Sequence, residues 1–159
     1  MMIERTKDAK KIKSILSIDG LWETISDDNA TKDNFIIDAD KDCYLLVKDD
    51  DLVVGCFKVE AVNSCCIIAH INIIPKYRKK YSKLAGLAFY NWVVSNDFIK
   101  KVTVNIPVLY ENVKKYCLAF GFKEEGLNRE SILKGGKMAD QWIMGITREE
   151  IKGALNEFN

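Results

Sequence analysis

The stretch CCIIAHINIIPKYRKKYSKLAG, residues 65–86, decides the fold. Its first ten residues are apolar apart from His70 and Asn72, which predicts a strand over 65–74 buried on both faces. Pro75 ends that strand. Residues 76–83, KYRKKYSK, carry five Lys or Arg and no acid. From about Tyr81 to Ser95 the residues Leu84, Leu87, Ala88, Trp92 and Val93 fall at helical spacing, so a helix follows the basic loop. The next β-forming run is KVTVNI, residues 101–106, closed by Pro107. Strand, helix and strand in that order imply a right-handed crossover and one parallel pair in a mixed sheet.

Working outward toward the N-terminus, Cys43–Val47 and Leu52–Val62 are rich in β-formers around the turn Lys48-Asp49-Asp50-Asp51, and read as a hairpin. Residues 26–34, SDDNATKDN, read as a loop. Thr6 and Asp8 are N-cap candidates for a helix reaching Ser17, with Ile12, Ile15 and Leu16 on one face. Asp19-Gly20 breaks it, Leu21 to Ile25 makes a second short helix, and residues 2–5 form a first strand. Toward the C-terminus, Tyr110 to Phe120 is helical and stops at Gly121. Phe122–Leu133 and residues 140–146 pair as strands across Gly135-Gly136. Thr147 caps a last helix.

At 159 residues the chain fits one domain, 1–159, with enough length to bury a core without staples. The 24 Lys and Arg nearly balance 23 Asp and Glu, for a net charge of +1. That argues against a nucleic-acid or anionic-membrane partner and turns the local basic segment toward a small anionic ligand. The five cysteines show no metal-ligand spacing, and Cys65-Cys66 lie in an apolar run, as free thiols do in a reducing compartment. No apolar signal core begins the chain, and no run is long enough to span a bilayer. A cytoplasmic protein without a metal is the expectation.

This order of elements resembles the GNAT superfamily of acyl-CoA N-acyltransferases. Three motifs carry the resemblance. Ile73-x-Pro75-x-Tyr77-Arg78 is similar to the family's Val-x-Pro-x-Tyr-Arg lead-in. NVKKYCLAFGFKEEG is similar to its helix ending in Gly-Phe, and DQWIMGITREE to its closing strand. Together they cover about residues 40–150. The resemblance implies an α/β (α+β) fold: a mixed, mostly antiparallel sheet of six to seven strands flanked by helices, with a splayed parallel pair. It also implies acetyl-CoA as acyl donor and an amine-bearing small molecule or protein as acceptor.

The resemblance places CoA pyrophosphate on Arg78, Lys79, Lys80, Tyr81, Ser82 and Lys83, where a helix N-terminus adds backbone N–H groups. It places the pantetheine amides along the backbone of Ile71 and Ile73, whose N–H groups would also polarise the thioester. Asn105 and Asn112 are candidates for orienting cofactor or substrate. His70, the only histidine, or a water is the candidate base. Tyr116 or Cys117 is the candidate acid for the leaving thiolate. Two features depart from the family. Its two small phosphate-loop positions fall on Tyr81 and Lys83, and its usual acidic Tyr falls on Cys117. The departures favour a second reading, a catalytically inactive GNAT-like domain with a binding or structural role. Small Lys-rich proteins of this kind also occur in tailed phages.

A third reading has KYRKKYSK bind nucleic acid with Tyr77 and Tyr81 stacking, but the neutral total charge opposes it. On the acceptor side, Trp22 and Glu23 are candidate contacts. Asp38, Asp40 and Asp42 either attract a cationic amine or serve as solvated turn residues. Many members pair as homodimers, and Trp92, Trp142 and the last helix fit either core or interface.

Overall fold

Met2–Thr6 (β1) and Cys43–Asp49 (β2) form an antiparallel ladder from Met2↔Lys48 to Thr6↔Tyr44 in this computed structural model, which describes residues 1–158. Leu52–Ala61 (β3) pairs with β2 across the turn at Asp50-Asp51, with an irregularity between Val47 and Lys48. Cys66–His70 (β4), Lys101–Pro107 (β5), Lys123–Lys134 (β6) and Lys137–Thr147 (β7) complete a seven-stranded sheet in the order β1-β2-β3-β4-β5-β7-β6. Only β4 and β5 run parallel; the other ladders between described strands are antiparallel. The chain therefore has the mixed, mostly antiparallel α/β architecture expected of it. Among the described residues no helix is long and apolar enough to cross a membrane.

The chain divides into two compact units. The first comprises Met1–Glu60 and Ala69–Phe89, the second Ala61–Ile68 and everything from Tyr90 onward. In the first, Ala9–Leu16 (α1) begins at Asp8, whose carboxylate accepts the Lys11 N–H at 3.0 Å, the cap that its sequence predicts. Trp22–Ile25 (α2) follows. Ile12, Ile15, Leu16 and Leu21 pack with Tyr44, Leu46, Cys56 and Ile74 in a buried cluster. Phe57 meets Phe89 edge-on at 5.7 Å. Phe89 belongs to Arg78–Ser95 (α3), the long helix that runs on into the second unit.

In the second unit, Glu111–Ala119 (α4) ends as its sequence predicts. Gly121 has a φ of +88°, its N–H donates to Leu118 O, and the Phe122 N–H reaches back to Cys117 O at 3.0 Å. Those are the paired bonds of a Schellman turn, and they need a residue that tolerates the left-handed region. Arg148–Phe158 (α5) opens on a reciprocal cap: Glu150 accepts the Thr147 N–H at 2.8 Å, and Thr147 Oγ1 accepts the Glu150 N–H at 3.3 Å. Arg148 is buried. Its guanidinium donates to the carbonyls of Val93, Val94, Asn96 and Ile99, and to Asp97. It thereby supplies donors that the end of α3 and its following loop lack.

Two expectations are corrected. The strand predicted over 65–74 stops at His70, and its burial alternates: Ile67 and Ala69 are buried while His70 is exposed. The chain returns to the sheet only at Ile73, in a single bridge to Gly55. The helix expected from Tyr81 starts at Arg78 and is preceded by a 3-10 turn, Pro75–Tyr77. Proline is suited to the first position of such a turn because its missing N–H has no acceptor to lose there.

Candidate functional site

In the first unit, the stretch from His70 through Lys83 in the first turns of α3 carries most of the sequence-predicted residues. Its course depends on Gly55. A Cβ at that position would lie 2.4 Å from the Asn72 carbonyl oxygen and 2.9 Å from Ile73 Cδ1. Without a side chain there, Cys56 N–H reaches Asn72 O and Ile74 N–H reaches Val54 O, each at 2.9 Å. The Asn72 carbonyl and the Ile74 N–H are thus spent on β3. Backbone groups alternate in direction along an extended strand, so those of Ile71 and Ile73 face the other way. Among the described residues the Ile71 N–H takes no backbone acceptor. In the second unit, the parallel β4–β5 ladder has only three pairs, Cys66↔Lys101 to Ile68↔Thr103, although β5 continues to Pro107.

The helix start offers fewer donors than its sequence suggests. Tyr77 N–H is taken by Ile74 O and Arg78 N–H by Pro75 O. The Arg78 side chain is also engaged internally: Nε donates to Ile73 O at 3.1 Å and Nη2 to Gly20 O at 3.3 Å. Arg78 therefore pins the segment from two sides. Tyr81, at one of the positions small in the GNAT family, is buried, and its hydroxyl donates to Asp49 at 2.8 Å. Its ring carries the Lys80 ammonium 4.6 Å from its centre, and Lys76 stands 4.9 Å from the centre of the Tyr77 ring. Lys76, Lys79, Lys80 and Lys83 are exposed, and Ser82 is half-buried.

His70, at the end of β4, hydrogen-bonds through Nε2 to Glu60 at 2.9 Å. Its side chain is 44% exposed, yet the neighbouring groups strip enough water from the ring to hold its pKa below the usual histidine value, with Lys58 pushing the same way against Glu60 and Asp42. It is neutral at pH 7. Glu60 and Lys58 were not singled out by sequence reasoning. Their spacing on β3 puts both on one face, but nothing in the chain's pattern says which face His70 shares. Asp42 sits against Lys58 at 2.9 Å. Asp40 pairs with Lys7, and Asp38 accepts the backbone N–H groups of Asp40 and Lys41, as a turn residue does. Trp22 packs edge-on against Phe35, and Glu23 accepts the Gly20 N–H.

The remaining predicted residues lie in the second unit. Tyr116 is half-buried and its ring lies 4.6 Å from that of Phe120. Cys117 is buried, which pushes its thiol up to about 12, and burial raises the Tyr116 phenol as well. Both are protonated at neutral pH, which leaves each a proton to give while making it a weaker acid, and Cys117 is not a thiolate nucleophile. Asn105 is exposed on β5 opposite Ile143, and Asn112 is exposed in the first turn of α4.

Solved structures share this architecture. A spermidine N-acetyltransferase from Vibrio cholerae, in complex with CoA and spermine, superposes with a TM-score of 0.73 at 15% identity, over 95% of this chain and 97% of that one. The protein smu.2055 from Streptococcus mutans UA159 gives 0.70 at 17% identity, over 93% and 99%. At such identities the likeness is one of fold, which is the GNAT fold. In sequence, protein p31 of Acyrthosiphon pisum secondary endosymbiont phage 1 is 23% identical over 108 residues, 68% of this chain and 70% of that protein. A family model matches residues 12–157, nearly the whole of both units, and on that match the chain belongs to the family described as "Protein of unknown function (DUF2824)".

Proposed function

We propose that this protein is an N-acyltransferase that moves an acetyl group from acetyl-CoA to an amine. The observation that carries the proposal is the backbone of Ile71–Ile73. It is held to β3 by one edge only, with exposed lysines at the helix start that follows. A pantetheine arm carries amides that pair with such an edge, and its phosphates suit Lys76, Lys79, Lys80 and Lys83. Arg78 has two parts in this reading: it fixes the segment through two of its donors, and its exposed guanidinium joins the lysines as a phosphate ligand. With Tyr77 and Arg78 N–H already satisfied, side-chain charge takes over part of the work of backbone donors.

In the reaction, the amine nitrogen attacks the thioester carbonyl carbon. The C–N bond forms, the C–S bond breaks, and no covalent enzyme intermediate is required. The amine's proton goes to neutral His70 or through a water to it. Tyr116 or Cys117, both protonated, gives a proton to the departing thiolate. Asn105 and Asn112 orient cofactor or substrate. The acceptor is a small amine, the whole chain 1–159 acts as one catalytic domain, and the working form is a cytoplasmic homodimer.

One observation favours a second reading, a GNAT-fold protein that binds without catalysing. The N–H groups of Tyr77 and Arg78 are engaged internally, as are two of the Arg78 guanidinium donors. Calorimetric titration with acetyl-CoA separates the two. Micromolar binding by the native protein, weakened about 10-fold or more in Lys79→Ala/Lys80→Ala, is the expected result. Heat-silent titration up to millimolar acetyl-CoA would sink the transferase reading.

A further inference from the structure

Lys58 and Glu60 alternate with Val59 on β3, so their side chains share a face. Glu60 Oε1 receives the Lys58 ammonium at 3.0 Å and His70 Nε2 at 2.9 Å, and Lys58 reaches on to Asp42 at 2.9 Å. Asp42, Lys58, Glu60 and His70 thus form one continuous chain of charged and polar groups. It joins the start of β2, the end of β3 and the end of β4.

An ionised carboxylate only accepts hydrogen bonds, so the His70 ring must carry its proton on Nε2. We infer that Glu60 is a positioning residue that holds His70 as its Nε2–H tautomer, leaving Nδ1 as the atom that takes a proton from an acceptor amine. The kinetic part of this inference rests on the acyltransferase reading; the tautomer does not.

Three features support it. First, Glu60 stays ionised. Burial raises its pKa, but the Lys58 hydrogen bond and charge outweigh that, and it ends below the usual carboxylate range. Second, the charged groups facing His70 are Glu60 and Lys58 from β3 and Asp42 from ahead of β2. Lys58 spends itself on the two carboxylates, so the ring meets an acceptor rather than a bare cation. Glu60 would favour an imidazolium formed in the reaction, working against the desolvation and the Lys58 charge that disfavour it. Third, the His70 and Glu60 side chains are 44% and 38% exposed. A hydrogen bond from a neutral ring at so accessible a site contributes little to folding, so stability is a poor account of why the pair is there.

Because His70 is the only histidine, its ring signals can be read without assignment ambiguity. Carbon and nitrogen NMR of the ring across a pH titration of the full chain tests the inference. The native protein should show the Nε2–H tautomer at neutral pH. Glu60→Ala should mix the tautomers and move the ring's titration midpoint down. Lys58→Met, which removes a neighbouring cation, should move it up. A dominant Nδ1–H tautomer, or a tautomer ratio unchanged in Glu60→Ala, overturns the inference. If the native protein turns over acetyl-CoA, Glu60→Ala should lower kcat about 10- to 100-fold with KM for acetyl-CoA unchanged, and should shift the acid limb of the pH profile. An unchanged acid limb would likewise overturn it. No turnover by the native protein would defeat the transferase reading alone, and the NMR result would still decide the role of Glu60.

Discussion

Gly55→Ala is the most informative single substitution, because one methyl group tests the geometry of the whole candidate cofactor edge. The added Cβ would lie 2.4 Å from Asn72 O, 2.9 Å from Ile73 Cδ1 and 3.2 Å from Ile73 Cα. A carbon–oxygen contact rests near about 3.3 Å, so the Asn72 carbonyl must retreat by about 0.9 Å. Ile73 Cδ1 can rotate aside; the carbonyl oxygen moves only with its peptide. That peptide is held by the Cys56 N–H bond at 2.9 Å, and the Ile74–Val54 bond follows two residues on. Losing about one such bond and overpacking the contact together cost about 3 kcal/mol. For a chain of this length that is a Tm lower by about 6–12 °C. Gly153→Ala is the control: it lies inside α5, and a Cβ there meets nothing within 4 Å. Alanine is the better helix former, so this variant should gain up to about 1 kcal/mol. Differential scanning calorimetry reads both. The functional arm is acetyl-CoA affinity, which should fall in Gly55→Ala because Ile71–Ile73 has moved, and hold in Gly153→Ala. A Gly55→Ala protein melting within about 1 °C of the native one would refute the reasoning.

Arg148→Met should cost about 3 kcal/mol in urea unfolding. It strips the donors from the carbonyls of Val93, Val94, Asn96 and Ile99, while Asp97→Asn, at a side chain 97% exposed, should cost under about 0.5 kcal/mol. Glu150→Ala removes the reciprocal cap of α5 and should cost about 1 kcal/mol at pH 7. In the folded chain Glu150 titrates at about 2 rather than 4.5, because of the Lys123 ammonium and the Thr147 N–H and hydroxyl. Its folded pKa is depressed, so its contribution is full above about pH 4.5 and is lost as pH falls toward about 2. Unfolding curves of the native protein and the Glu150→Ala variant should therefore converge across that window, and parallel curves would argue against the cap.

What the sequence made legible was whatever is enforced locally. Asp8, Gly121 and Thr147 act within a turn of their own helices, and Gly135-Gly136, with φ of +60° and +73°, closes the hairpin it was expected to close. The end of β4 was not legible. CCIIAHINII contains no breaker before Pro75, and its course after His70 is set by Gly55, a residue on another strand whose significance lies in what it lacks. Arg78 does more than its place in a run of cations suggests, for a related reason: two of its donors bond Ile73 O and Gly20 O, the latter 58 residues away. The planar guanidinium fork can hold two carbonyls and still present its other N–H groups, and no local pattern reveals such a double use. The same logic places His70. Alternation along β3 puts Lys58 and Glu60 together, but whether His70 joins them depends on how β4 ends. The proton-transfer reading of this protein accordingly stands or falls on the segment between His70 and Ile73, where local sequence preferences gave way to a contact made across the sheet.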